Sequence, residues 1–318
     1  MSGSQATVRR MAEFEVWDVS AWEAVNPEPI GRDAKLWVRE PGAPSSSRER
    51  DWLFKPVIVT ASGHRQGEDW TEKIVSELGG LLGVPCAEIE LAVRRGVPGS
   101  ISRNVAPDGW NLVLGSVLLS TGNSHYQEGQ LRPPGRPGHS PRTIFQALER
   151  CQPPAGPGRL TAVEVFAGYL VLDAWVANQD RHDQNWAVLR QAAAPGELRL
   201  ASSYDHASSL GFNLLDARRE TLLDSGAVAA WAARGTAHRF EHDPGSSSRE
   251  IPTLVAAAHD AIDLAGQKAS RHWIERLRGL DWAEVENVIA RTPNLSDVTA
   301  SFILDLLTIN RRRLLHER

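Results

Sequence analysis

The chain has 318 residues, enough for two lobes each with a core of its own, and 42% hydrophobic against 23% charged residues excludes wholesale disorder. A formal net charge of -4 leaves no polybasic footprint for direct binding of nucleic acid or an anionic membrane, so any cation at a site must be supplied locally. Cys86 and Cys151 are too few for a disulfide framework, and there is neither a signal-like apolar core nor a long apolar run. The expectation is a cytoplasmic protein with no membrane span, its oligomeric state unspecified.

Residues 1–11 read as a flexible tail. FEVWDV, KLWV and DWLFKPVIVT then read as short strands separated by loops rich in Pro, Gly and Ser, with residues 40–50 as a solvated hairpin connection. Basic residues are overwhelmingly arginine, and the lysines are Lys35, Lys55, Lys73 and Lys268. A lysine in an apolar strand therefore stands out. Lys55 ends such a strand just before Pro56, where a buried ammonium requires a nearby anion. Lys35 follows a turn containing Gly31, whose backbone amides could meet a phosphate.

Apolar residues Trp70, Ile74, Leu78 and Leu81 recur at helical spacing over 68–82, and Gly83-Val84-Pro85 ends that helix. Glu72 and Glu77 are both available on it to pair with Lys55, and periodicity does not choose between them. AEIELAV and residues 100–105 read as two more strands. They complete a five-stranded, nucleotide-binding N-lobe over 12–107, with adenine contacts near Val105, and leave 108–318 as a C-lobe. In that lobe residues 120–142 read as an exposed loop. Thr161 and Glu164 have capping-box spacing ahead of a helix that is apolar nearly all round and therefore buried. Asp173 on this helix must find hydrogen-bond donors, expected from the backbone of the loop that follows.

That loop is the centre of the chain. ANQDRHDQNW, residues 177–186, places Asp180, His182 and Asn185 in a tight turn between the buried helix and the strand-like WAVL. A second strand-like run, LRLASSY, ends at Asp205, twenty-five residues after Asp180. Phosphoryl transfer needs a carboxylate to orient the attacking hydroxyl, and hard oxygen ligands to hold Mg2+ against a triphosphate. Asp180 as base, with Asn185 and Asp205 as metal ligands, occur in that order. His182 reads as a brace for the loop. Beyond Asp205, HASSLGFNLLDARRETLLD reads as a substrate-facing segment, and the rest of the chain as helices, the last capped by Ser296.

With these residues in hand, the chain resembles the HipA-like serine/threonine kinases, from about Gly31 to the C-terminus. The resemblance rests on Gly31 to Lys35 as a GxxxK loop, on Lys55-Pro56 and on Glu72 before Gly83-Val84. It continues through Asn178 to Asn185 as N-x-D-x-H-x-x-N and ends with Tyr204-Asp205. It implies an α+β, bilobal protein-kinase-like fold, with a small antiparallel-sheet N-lobe carrying one helix and a larger, mostly helical C-lobe. It also implies ATP and Mg2+ as cofactors, a protein Ser/Thr hydroxyl as acceptor, the enzyme's own included, and Glu72 rather than Glu77 as the partner of Lys55.

The order Asp-Arg-His in DRHDQN is also similar to the catalytic loop of phosphoinositide kinases. That keeps a lipid or small-molecule acceptor, and a nucleotide-binding pseudokinase scaffold, as alternatives. The chain departs from the HipA-like pattern in three ways: its phosphate loop is glycine-poor, only about thirty residues precede that loop, and His206 follows the metal-binding Asp. The extra N-terminal subdomain of HipA toxins is therefore expected to be missing, which leaves an antitoxin partner that binds such a subdomain in doubt.

Overall fold

The structure, a computed structural model, describes residues 12–27, 35–122, 126, 135–156, 158–194, 196–247 and 250–317. The tail 1–11, the Gly31 turn and most of the loop at 123–134 lie outside the described residues.

The N-terminal strands are β1 (Val16–Asp18), β2 (Glu23–Pro27), β3 (Leu36–Arg39), β4 (Asp51–Pro56), β5 (Ile89–Arg94) and β6 (Val97–Arg103). They form one sheet in the order β1-β5-β6-β4-β3-β2. The sheet thus has six strands where five were expected, and β1 runs parallel to β5 in an otherwise antiparallel array. The extra strand, β2, is an edge strand of sequence EAVNP, polar and ending in proline, as edges that avoid further pairing tend to be. Arg95 and Gly96, both at positive φ, turn β5 into β6 in two residues, the left-handed pair that a tight hairpin needs. On one face of the sheet Val38, Trp52, Phe54, Ala92 and Ile101 form a small core, closed by Trp17 and Trp22 packed on Trp52.

The other face carries α1 (Glu68–Leu82), whose buried stripe includes Trp70, Ile74, Leu78 and Leu82. Gly83 ends the helix in the left-handed conformation at φ 88°. Two bolts hold the helix. The Lys73 ammonium donates to the Ile89 carbonyl at 2.9 Å and pairs with Glu77 and Glu90, fixing α1 to the sheet. Arg276 donates to the carbonyls of Leu81 and Leu82 at 2.8 Å each, tying the end of α1 to the helical part of the chain.

Two helices and a strand lead into that part: β7 (Trp110–Leu114), α2 (Gly115–Gly122) and α3 (Pro141–Leu148). The central element is α4 (Ala162–Val176), started by the Thr161/Glu164 capping box and buried along nearly its whole length. An apolar helix of that kind is stable only when wrapped. The helices around it are α7 (Leu254–Leu264), α8 (Gln267–Arg278) and α10 (Asp297–His316), with α5 (Asp216–Asp224), α6 (Val228–Ala232) and α9 (Trp282–Ala290) completing the layer. A second, three-stranded sheet joins β7 to β8 (Ala187–Gln191) and β9 (Leu198–Leu200). The architecture is α+β: a small sheet with one helix, then a larger, mostly helical part. The site lies where α4, β8 and the end of β9 meet the sheet and α1.

Candidate active site

Asp173 near the end of α4 organises the loop that follows. Its two carboxylate oxygens receive Arg181 Nε at 2.7 Å and Arg181 Nη2 at 2.8 Å, and Asn178 Nδ2 donates to one of them at 2.8 Å. The donors are side chains, a correction to the expectation of loop backbone. A bidentate guanidinium neutralises a buried carboxylate in a way that neutral amides do not. Asn178 in turn accepts the Asp180 N–H on its Oδ1, which fixes the backbone entering the turn.

Arg181 is the main tie of the site and was not among the residues expected in it. Its side chain is 2% exposed, and Nη1 donates to the Asn185 carbonyl at 2.6 Å and to the Tyr204 carbonyl at 3.3 Å. Tyr204 immediately precedes Asp205, so one guanidinium holds together the backbones that carry Asn185 and Asp205. The Asn185 amide donates to the Asp180 carbonyl at 2.8 Å, leaving its oxygen as the atom able to ligate a cation. His182 accepts the Gln184 N–H on Nδ1 at 3.1 Å, and its backbone N–H donates to the Asp180 carbonyl at 2.7 Å. Burial lowers the pKa of this ring, against the pull of Asp180.

Across the cleft, Lys55 Nζ lies 2.6 Å from Glu72 Oε1 and 3.0 Å from Asp205 Oδ1. Glu77 instead pairs with Lys73, which leaves Glu72 as the partner of Lys55. Lys35 approaches the other Asp205 oxygen at 3.8 Å. Gly31 lies outside the described residues. Gly99 opposes Pro56 on β6 and is needed there, because a Cβ would meet the Lys55 carbonyl oxygen at 2.2 Å. Burial disfavours charge on Asp205, yet Lys55 and then Lys35 more than offset it and hold the carboxyl far below its usual range. The Lys55 ammonium is likewise held charged despite burial, by Asp205 and Glu72.

The backbone after Asp205 is fixed by the same groups. His206 N–H donates to Glu72 Oε2 at 3.0 Å, and Asp205 itself sits at φ 60°. Arg181 Nη2 donates to Ser203 Oγ, so the Ser203 hydroxyl is free to donate to His206 Nε2 at 2.8 Å. That imidazole stays neutral: burial first, and then the Arg181 charge, push it down to about 3. The segment that follows is docked through Leu210 N–H to the Val176 carbonyl, and through the Phe212 carbonyl to Gly67 N–H at the start of α1. Ala106, Ala187, Leu189 and Ala201, with Val105 and Tyr204 packed against them, form a separate small core.

One further cation reaches the turn from far along the chain. Arg239, between α6 and α7, forms an ion pair with Asp180 Oδ1.

No family model matches the chain, and no curated protein matches it in sequence. Solved structures do match. The proinflammatory kinase CtkA of Helicobacter pylori aligns over 95% of this chain and 96% of its own, with a TM-score of 0.63 at 16% identity. HipA, in the HipA, HipB and operator DNA complex of the toxin–antitoxin system of Shewanella oneidensis MR-1, aligns over 94% of this chain and 67% of its own, with a TM-score of 0.54 at 17% identity. The chain has the α+β, bilobal kinase-like fold that CtkA and HipA share, the fold class its residues led us to expect.

Proposed function

We propose that the protein is an ATP- and Mg2+-dependent kinase of the HipA-like type, transferring the γ-phosphoryl group to a protein serine or threonine hydroxyl, its own included. The observation that carries the proposal is the convergence of Lys55, Glu72 and Asp205 with the Asp180–Asn185 turn, through Arg181, on a fold shared with the kinase CtkA. In this reading residues 12–107 bind nucleotide and 108–318 bring the turn and the acceptor. The protein works in the cytoplasm; among the described residues no helix is long and apolar enough to cross a membrane.

The residues present fit Mg2+ held against phosphates. Among the described residues no cluster of three or more His, Cys, Asp or Glu could cage a metal alone, whereas Mg2+ usually takes only one or two protein oxygens and the rest from phosphate and water. The Asp205 carboxylate and the Asn185 amide oxygen would be those ligands. Bound there, the metal neutralises charge on the phosphates. Lys55, positioned by Glu72, holds phosphate oxygens, Lys35 and the Gly31 turn cap the phosphate tail, and Asp180 orients the acceptor hydroxyl and receives its proton. His182 braces the turn.

The test is incubation with γ-labelled ATP and Mg2+, beside Asp180→Ala, followed by intact mass and peptide mapping. Label on serine or threonine of the wild type only supports the proposal. ATP binding without any protein labelling would shift it to a lipid or small-molecule acceptor, or to a pseudokinase. Absence of ATP binding would sink it.

A further inference from the structure

We propose that Arg239 is a positioning residue for Asp180, supplied from outside the catalytic turn, an inference that rests on the kinase reading above. The turn has no cation of its own to spare. Arg181 points inward and is spent on Asp173, Ser203 and two carbonyls, while Lys55 and Lys35 both face Asp205. Among the described residues, the Asp180 carboxylate forms its ion pair with Arg239, fifty-nine residues later.

The segment bearing Arg239 is fastened to both ends of the turn. At the entrance, Thr236 N–H donates to Gln179 Oε1 at 3.1 Å. At the exit, Trp186 Nε1 donates to His139 Nε2 at 3.2 Å, and His139 Nδ1 donates to the Arg239 carbonyl at 2.7 Å. Phe240 stacks flat on that imidazole, with centroids 4.9 Å apart. The 135–139 and 239–242 backbones are laced by Glu241 N–H to the His139 carbonyl at 2.7 Å and His242 N–H to the Gly135 carbonyl at 2.8 Å. Gly135 is required for that approach, since a Cβ there would sit 2.4 Å from the His242 carbonyl oxygen.

A removable gate would be held loosely. This segment is held at Thr236, Arg239, Glu241 and His242, so the pair is a standing part of the site. With Oδ1 in the ion pair with Arg239, Oδ2 is the oxygen left for an acceptor hydroxyl.

Wild type, Arg239→Ala and Arg239→Lys are compared for transfer of label from γ-labelled ATP with Mg2+ to protein, to a mixed peptide acceptor and to water, alongside Mg-ATP affinity and melting temperature. For Arg239→Ala we expect kcat to fall about a hundredfold, the usual scale for a misplaced reacting group. Mg-ATP affinity and melting temperature should be unchanged. Arg239→Lys should recover part of the rate, and free guanidinium ion should partly rescue Arg239→Ala. Unchanged or faster turnover in Arg239→Ala would overturn the proposal, the latter by making Arg239 a gate. A loss that neither lysine nor guanidinium repairs would also overturn it, as structural damage. A wild type that binds Mg-ATP but labels neither protein, peptide nor water would bring down the protein-kinase reading and with it this role, which separates that failure from the others.

Discussion

Arg181 and Asp173 form a bidentate pair with side chains only 2% and 3% exposed, and the same guanidinium holds the carbonyls of Asn185 and Tyr204. A buried pair of this sort adds little net stability over an apolar pair, but removing one partner strands the other. Arg181→Ala should therefore cost about 3–5 kcal/mol in urea unfolding. Arg181→Lys should recover little of it, because one ammonium cannot reproduce the planar fork. A loss below about 1 kcal/mol would mean that water or a neighbour satisfies Asp173, contrary to this account.

The Lys55 ammonium bridges Glu72 and Asp205 at 2.6 and 3.0 Å, and in the proposed kinase it exchanges part of that contact for phosphate oxygens. A charge-assisted hydrogen bond contributes about 1.5–3 kcal/mol. Calorimetry on Lys55→Ala should therefore show Mg-ATP binding weakened ten- to a hundredfold. Glu72→Gln should weaken it less, since Lys55 keeps Asp205 as an anchor. Equal affinity in wild type and Lys55→Ala would remove Lys55 from the nucleotide site.

The elements most legible in the sequence were those whose signal is local. The bounds of α1 follow from its apolar spacing and Gly83, and the start of α4 from its capping box. The turn was legible because Asp180, His182 and Asn185 are crowded into one short segment. What escaped was decided over distance. β2 is polar because it lies at an edge, and the parallel partner of β1 is set by packing. Arg239 meets Asp180 from a segment without helical or strand periodicity, held by the backbone of residues that read as a loop. Arg181 was in view within DRHDQN, but only burial shows that it points inward.

His139 and His206 are both buried and neutral. Burial lowers His139 to about 4, with the Arg239 carbonyl pulling the other way, and His206 to about 3. In the unfolded chain both titrate near 6.5, so below that pH the unfolded state binds protons that the folded state refuses. Stability is thus complete above about pH 6.5 and falls as the pH drops toward 4, by up to about 1.4 kcal/mol per pH unit for each histidine. Asp205 adds its own loss at lower pH, where the unfolded carboxyl protonates first. Urea midpoints measured between pH 7.5 and 4.5 should show this slope, and His206→Gln should remove its share. A flat profile would contradict neutral burial of the two rings.

Gly168 lies in the middle of α4, where glycine ordinarily costs about 1 kcal/mol relative to alanine, so helix propensity alone favours Gly168→Ala. Packing reverses the sign. A Cβ at this position would lie 2.2 Å from Trp273 Cζ2. That indole cannot swing away, because it is fully buried and its Nε1 donates to the Glu164 carbonyl at 2.8 Å. Overpacking of a rigid core group costs about 1–3 kcal/mol, so the upper part of that range leaves Gly168→Ala less stable by about 1–2 kcal/mol after the propensity gain. The clash also predicts coupling. Trp273→Phe trims the ring that occupies the notch, and Gly168→Ala should cost less in that background than in the wild type. Additive losses in the double variant would show that the indole is not what requires glycine here.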